Sequence, residues 1–318
     1  MLRFILPLAL ARRSGLTVMT WLAQSHANYG MGLFDRDTLV ALDPAQAENL
    51  MEEIARHCGA DVVHLDNQPM RWAGQPNPFA LGRSARLTAN DTFIVALADD
   101  FEAQYRGLFS SRTRSGLKRK QRRFEETGSV SFDPPATREE RLGAIEWFIV
   151  EKRRSLAEAG QRSVFDRQAI AGLYRHLAAN AVEFDIDRLA VNGMPVAVAL
   201  TIRGGGFAYF LNTAFCGADF ARFSPGALVL HRHVASVHAK GARTFDFGPG
   251  ALPYKHDWQP ETIPLIASSF NVSARGRPLA LLLGLGVSTK CAVKRNDRLR
   301  EMAFAMRRIA GSRIAKAK

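Results

Sequence analysis

The chain has 318 residues, 47% of them hydrophobic, and carries a net charge of +13 with three cysteines. That is enough for two ordinary domains with real cores, and little disorder is expected outside the termini. Cys58, Cys216 and Cys291 are scattered and show no CxxC spacing, which argues against a disulfide framework or a zinc site and for a reducing compartment. His231, His233, His238 and His256 have no clustered Cys or Glu partner, so they read as structural or solvent-facing side chains, and no metal is expected.

In chain order, "MLRFILPLALARRSG" reads as a buried strand and not as a signal peptide, because Pro7 interrupts the apolar stretch and two arginines follow it. "TVMTWLAQ" is a second strand. Asp43-Pro44 starts a helix that stops at Gly59, and the strands "ADVVHL" and "DTFIVAL" come next. Arg106 to Arg123 holds eight basic residues and no acid. "GSVSFD" (128–133) is a short strand, followed by helices over 138–159 and 166–181. "EFDIDRLAV" ends at the tight-turn signal Asn192-Gly193, and "PVAVALTIR" and "FAYFLNTAF" (207–215) complete a meander around Gly204-Gly205-Gly206. The triple glycine does not open a GxGxxG helix, so no dinucleotide site is expected.

Ser224 then reads as an N-cap, Pro225 as a first-turn residue and Gly241 as a stop. "TFDF", the polar and aromatic stretch "FDFGPGALPYKHDWQ" (245–259) and the strand "TIPLIASSF" follow. "PLALLLGLGV" (278–287) is too short to span a bilayer, which takes roughly 20 apolar residues. Residues 288–318 hold ten Lys/Arg against Asp297 and Glu301, a net of +8, with Leu299, Met302, Met306 and Ile309 at helical spacing; a helix over 288–310 docking through these four is expected. The two basic segments either face solvent or meet an anionic partner.

Part of the pattern occurs twice. The helix that starts at Pro44 and stops at Gly59 matches the one from Pro225 to Gly241, with offsets of 181 and 182 residues, and similar strands flank each copy. Duplication is the reading, with a first copy that lacks the opening strand and two helices. The order strand, two helices, three antiparallel strands, helix, strand, short helix, strand is that of the Gcn5-related N-acetyltransferase (GNAT) fold. The expected fold class is thus mixed α/β (α+β), GNAT-like and tandem. Its parts are a partial N-terminal half (1–100), an acyltransferase domain (101–275) and a basic helical tail (276–318).

Three stretches, "RSGLKRKQRRFEETGSVSF" (114–132), "FSPGALVLHRHV" (223–234) and "FDFGPGALPYKHDW" (245–258), make the chain resemble the CelD type of GNAT acetyltransferase, associated with bacterial cellulose and polysaccharide synthesis. Relatives with tandem halves include the FemAB-type aminoacyltransferases, which use aminoacyl-tRNA. The resemblance implies acyl transfer from acetyl-CoA or another acyl-CoA to an amine, such as an amino sugar or a cell-envelope precursor.

Such transfer needs a grip on the donor's phosphates, a base for the amine and an acid for the thiolate. Helix starts attract phosphate through unpaired N–H groups and the helix dipole. Gly226 and Ala227 offer such groups, with Ser224 and Arg222 beside them; Ser224 as a purely structural cap is the other reading. Alternation puts Asp246 opposite Phe245 and Phe247, either as the base facing a cleft or as an acid bonded to the following turn. Tyr254 is the candidate acid or an aromatic plug, and Lys255 a phosphate or carboxylate holder or an exposed charge. Trp258 reads as a packing anchor. Two further readings stand beside acyl-CoA chemistry: an aminoacyl-tRNA-dependent transferase, favoured by the charge, and a non-catalytic GNAT-derived binding protein. The expected location is cytoplasmic, with an anionic membrane surface or tRNA as a partner of the basic segments and no specific DNA binding.

Overall fold

The computed structural model describes residues 3–22, 26–217 and 220–296. The chain divides into two compact units, one drawn from residues up to 92, 249–251 and the segment from 262, the other from 93–248 and 252–261. The sequence reading cut the chain at 100 and 275 instead.

The first unit begins with β1 (Phe4–Ile5), the hairpin β2 (Leu8–Arg13) and β3 (Leu16–Trp21), and β4 (Leu33–Phe34), which pairs with β1. Helices α1 (Arg36–Ala41) and α2 (Pro44–His57), strand β5 (Val62–Pro69), the ribbon β6 (Arg71–Trp72) and β7 (Gln75–Pro76), and the first part of β8 (Ala85–Ala96) follow. Asp43 caps α2: its carboxylate accepts from the Gln46 N–H while the Gln46 side chain accepts from the Asp43 N–H, so two otherwise unpaired donors are satisfied. Ala47, Met51 and Ala55, one turn apart, bury the inner face of α2 against Met19, Trp21, Val63 and Leu65. β5 lies parallel to β3, with Val18 opposite Val62.

The second unit adds α3 (Phe101–Leu108), α4 (Ser111–Glu125), β9 (Val130–Asp133), α5 (Arg138–Glu158), α6 (Gln168–Asn180), β10 (Phe184–Val191), β11 (Met194–Gly204), β12 (Phe207–Phe215), α7 (Pro225–Ala239), β13 (Thr244–Pro249) and α8 (Pro253–His256). From β9 onward this is the element order expected of a GNAT unit. Strands lie in the order β13-β12-β11-β10-β9. The β10–β11 turn places Asn192 and Gly193 at φ of 50° and 79°, a conformation that asparagine and glycine tolerate. Alternation sends Phe184, Ile186, Val198 and Leu200 to one face under α5 and α6. Leu189, Ala197, Ala199, Phe210, Phe245 and Phe247 go to the other, under α7 and α4.

The remaining elements are β14 (Glu261–Asn271) and α9 (Arg277–Arg295). β14 pairs antiparallel with β5, which gives it to the first unit although it follows β13 in sequence. Residues 93–96 of β8, which follows β5, belong to the second unit. β8 is thus divided between the units and β14 returns to the first, so neither unit is one continuous stretch of chain. α9 packs Ala280, with Leu279 and Leu283, on Val18 and Val62. At its start a Cβ on Gly276 would lie 2.2 Å from the Asp61 carbonyl oxygen, so only glycine fits there. The docking residues Leu299, Met302, Met306 and Ile309 lie outside the described residues. Among the described residues no helix is long and apolar enough to cross a membrane.

The duplication holds at the level of topology. β2-β3-α2-β5 and β11-β12-α7-β13 are each an antiparallel hairpin, a helix and a strand parallel to the hairpin's second strand.

Candidate active site

β12 and β13 pair for three residues only, Phe207 with Thr244, Ala208 with Phe245 and Tyr209 with Asp246. Beyond that point β12 carries a bulge. Leu200 of β11 faces Asn212 and Thr201 faces Phe210, so Leu211 is extra and turns the strand away. The divergence opens a cleft of about 350 Å³, walled by Thr213 and Phe215 of β12, by Ser224 to Ala227 and His231, and by Tyr254 and Trp258.

The start of α7 forms one end of this cleft. Ser224 does not cap the helix as its sequence position suggested. It adopts the left-handed conformation (φ 54°, ψ 55°), and its hydroxyl accepts a hydrogen bond from Lys120 Nζ at 2.9 Å. Its carbonyl takes the N–H groups of Ala227 and Leu228 at 3.0 and 3.1 Å. Proline at 225 has no N–H, so of the two donors expected here Gly226 is the one that, among the described residues, meets no acceptor. A Cβ on Gly226 would stand 2.8 Å from the Phe215 ring, so glycine lets the helix start close against β12. Arg222 is not among the cleft's lining residues; its guanidinium lies over the Phe223 ring, 4.7 Å from the centroid.

Of the catalytic candidates, Tyr254 lines the cleft beside Phe247, and burial pushes its hydroxyl up to about 12, so it stays protonated across the neutral range. Asp246 and Lys255 have another place. Asp246 is fully buried and its Oδ1 accepts from the Gly248 N–H at 2.8 Å; Lys255, 2% exposed, donates from Nζ to the Gly248 carbonyl at 2.9 Å. The pair holds the N–H and the carbonyl of one residue, Gly248, whose φ is 70° near the end of β13. Trp258 is buried and packs on Phe109, His231 and Phe247, an anchor as expected.

The residue that sequence reasoning passed over is His231. It lines the cleft, its Nδ1 is 2.8 Å from the Tyr105 hydroxyl, and its ring lies against Trp258. Burial pulls its pKa down to about 4, and burial pushes the Tyr105 hydroxyl up to about 12, so the histidine is neutral and the tyrosine protonated at neutral pH. A signal was present: position 231 is four residues beyond Ala227, one turn along the same helix face.

Residues 111–256 match the family model described as "Acetyltransferase (GNAT) domain". Over that stretch the chain is similar to the GNAT acetyltransferase domain. No curated protein matches it in sequence. Three solved structures share the fold over most of the chain. L-PGS from Bacillus licheniformis is 15% identical, with 88% of this chain and 84% of that one covered at a TM-score of 0.54. FemX is 13% identical, with 87% and 90% covered at 0.53. A conserved protein of unknown function from Bacteroides thetaiotaomicron is 13% identical, with 83% of each chain covered at 0.54. At these identities the likeness speaks for the fold.

Two further polar assemblies lie in the second unit. His233, fully buried two residues from His231, bonds through Nδ1 to Asp187 Oδ2 at 2.6 Å and through Nε2 to the Thr201 hydroxyl, tying α7 to β10 and β11. Burial raises the Asp187 carboxyl, but the hydrogen bond and charge of His233 and the charge of Lys240 outweigh it and hold the group below its ordinary value. The other is a basic pocket of about 510 Å³ lined by Arg119, Lys120, Arg123, Glu126, Thr127, Arg222 and Phe223.

Proposed function

We propose that this protein is an acyl-CoA-dependent N-acyltransferase, with acetyl-CoA as donor and an amine acceptor such as an amino sugar or a cell-envelope or polysaccharide precursor. The observation that carries the reading is the cleft between the diverging strands, which sets the Gly226 N–H at one end and His231 and Tyr254 on its walls. The residues suit a phosphorylated thioester. The Gly226 N–H and the dipole of α7 favour the donor's phosphate charge, while Phe215, Leu230 and Trp258 give an apolar wall for its arm.

In the proposed reaction the amine nitrogen attacks the thioester carbonyl, the C–N bond forms and the C–S bond breaks. His231 takes the amine's proton at Nε2, with Nδ1–H donating to the Tyr105 oxygen so that the Nε2 lone pair is free. Tyr254 donates its hydroxyl proton to the departing sulfur, which leaves as the thiol, and water carries the proton held by His231 back to the phenolate, so that both side chains are restored. Asp246 and Lys255 fix the Gly248 turn that carries Tyr254.

Release of free thiol from acetyl-CoA, followed with a panel of amino sugars, polyamines and glycan precursors, tests the reading. Amine-dependent release that falls in Tyr254→Phe supports it. The basic surface of α4 favours a second reading, transfer from aminoacyl-tRNA; transfer from a charged tRNA, with no thiol release from acetyl-CoA, would replace the first reading by the second.

A further inference from the structure

The basic pocket beside the cleft has no role in the reaction above. Its cations come from two places in the sequence. Arg119, Lys120 and Arg123 lie on one turn of α4, and Arg222 comes from the turn before α7. Glu126 is the one carboxylate on its wall, and among the described residues no ion pair engages Arg119, Lys120 or Arg123. The helix dipole accounts for Arg123 in the last turn of α4, but not for Arg119 and Lys120 beside it or for the convergence of Arg222 from another segment. Like charges one helical turn apart repel, so folding alone gives no reason for the arrangement. Its volume is that of a small-ligand site, and its concave shape focuses positive potential inward.

The pocket is also tied to the cleft. Lys120 Nζ donates to the Ser224 hydroxyl at 2.9 Å, and Ser224 stands two residues before the unpaired Gly226 N–H. A ligand with phosphates at both places would touch both ends of one connected wall. Resting on the acyl-CoA reading, we propose that this pocket is a second phosphate site, which holds the 3′-phosphate of the donor's nucleotide. Gly226 and the α7 dipole take the diphosphate. Arg119 and Arg123 then select 3′-phosphorylated CoA over its dephospho form, and Lys120 carries the anion's position to the turn that shapes the cleft. The discrete, small-ligand size of the pocket favours this over the extended backbone of a nucleic acid.

Calorimetry of the full chain with CoA, dephospho-CoA and adenosine 3′,5′-bisphosphate tests the assignment, on the parent and on an Arg119→Ala/Arg123→Ala variant. Both arginines are exposed, so the variant is expected to fold, and its melting temperature checks this. The parent should bind CoA about tenfold or more tighter than dephospho-CoA, the scale of one charge-assisted contact set. The variant should lose that gap while holding dephospho-CoA as the parent does. A parent without the gap, or a variant that keeps it, overturns the pocket assignment and leaves the acyl-CoA reading intact. A parent that binds neither CoA form sinks the acyl-CoA reading. The bisphosphate then decides the pocket: binding lost in the variant sustains a phosphate site, and no binding, or tRNA binding alone, removes it.

Discussion

The Tyr105 hydroxyl lies 2.8 Å from Nδ1 of His231, and the two rings meet edge to face at 90°. This contact fixes the ring on the wall of the cleft and leaves Nε2, which among the described residues meets no partner, as its second nitrogen. Since burial holds the histidine's pKa near 4, it is a proton acceptor at neutral pH without needing a carboxylate beside it.

His231→Gln should therefore lower turnover about a hundred- to ten-thousand-fold with little change in CoA affinity, the usual cost of a lost general base. In the parent, the acidic limb of the kcat/KM profile should fall near pH 4 and not near the ordinary histidine value of 6.5. The sign for stability is the same. The folded pKa is depressed, so the unfolded chain binds the proton more readily, and stability is lost as pH falls from about 6.5 towards about 4. A limb at the ordinary value would remove His231 from the role.

Tyr254→Phe keeps the ring against Phe247 and removes only the hydroxyl. Steady-state rates should drop at least about tenfold with CoA affinity unchanged, as expected for a group that acts on the leaving thiolate. Equal rates for parent and variant would make Tyr254 a wall residue only.

Asp246→Asn separates the two roles that its sequence position left open. A residue that grips the Gly248 N–H should, when changed, cost about 1–3 kcal/mol of stability and leave the acidic limb of the pH profile where it was. A shifted limb with an unchanged melting temperature would return Asp246 to catalysis.

A fourth expectation concerns acid stability. His233 and Lys240 hold the Asp187 carboxyl below its ordinary value, so the stability it contributes is present above that value and is lost as pH falls through the lower, folded one. Thermal melts from neutral to acid pH should show a steeper loss for the parent than for Asp187→Asn, which starts less stable. Parallel curves would mean that another group governs acid unfolding.

Much of the fold was legible because its punctuation is local. Asn192-Gly193, Gly205-Gly206 and Gly241 all take positive φ where turns or helix ends were expected, and the paired helices could be matched by their caps and stops. What could not be read depends on distant partners. Ser224 carries the sequence signature of an N-cap, yet Lys120, about a hundred residues away, takes its hydroxyl. Asp246 and Lys255 looked like cleft chemistry because their shared partner, the backbone of Gly248, lies in a turn whose path the sequence does not state. The exchange of β14 into the first unit likewise rests on pairing with β5 and not on anything near β14.

The most direct test of the donor site is equilibrium binding of acetyl-CoA to the full chain and to Gly226→Asp. The account predicts saturable binding to the parent. It predicts at least about a tenfold loss in the variant, because a carboxylate would replace the helix's unpaired N–H environment and its Cβ would press on Phe215, 2.8 Å away. A folded variant that binds acetyl-CoA as tightly as the parent, or a parent that does not bind it at all, would contradict the account.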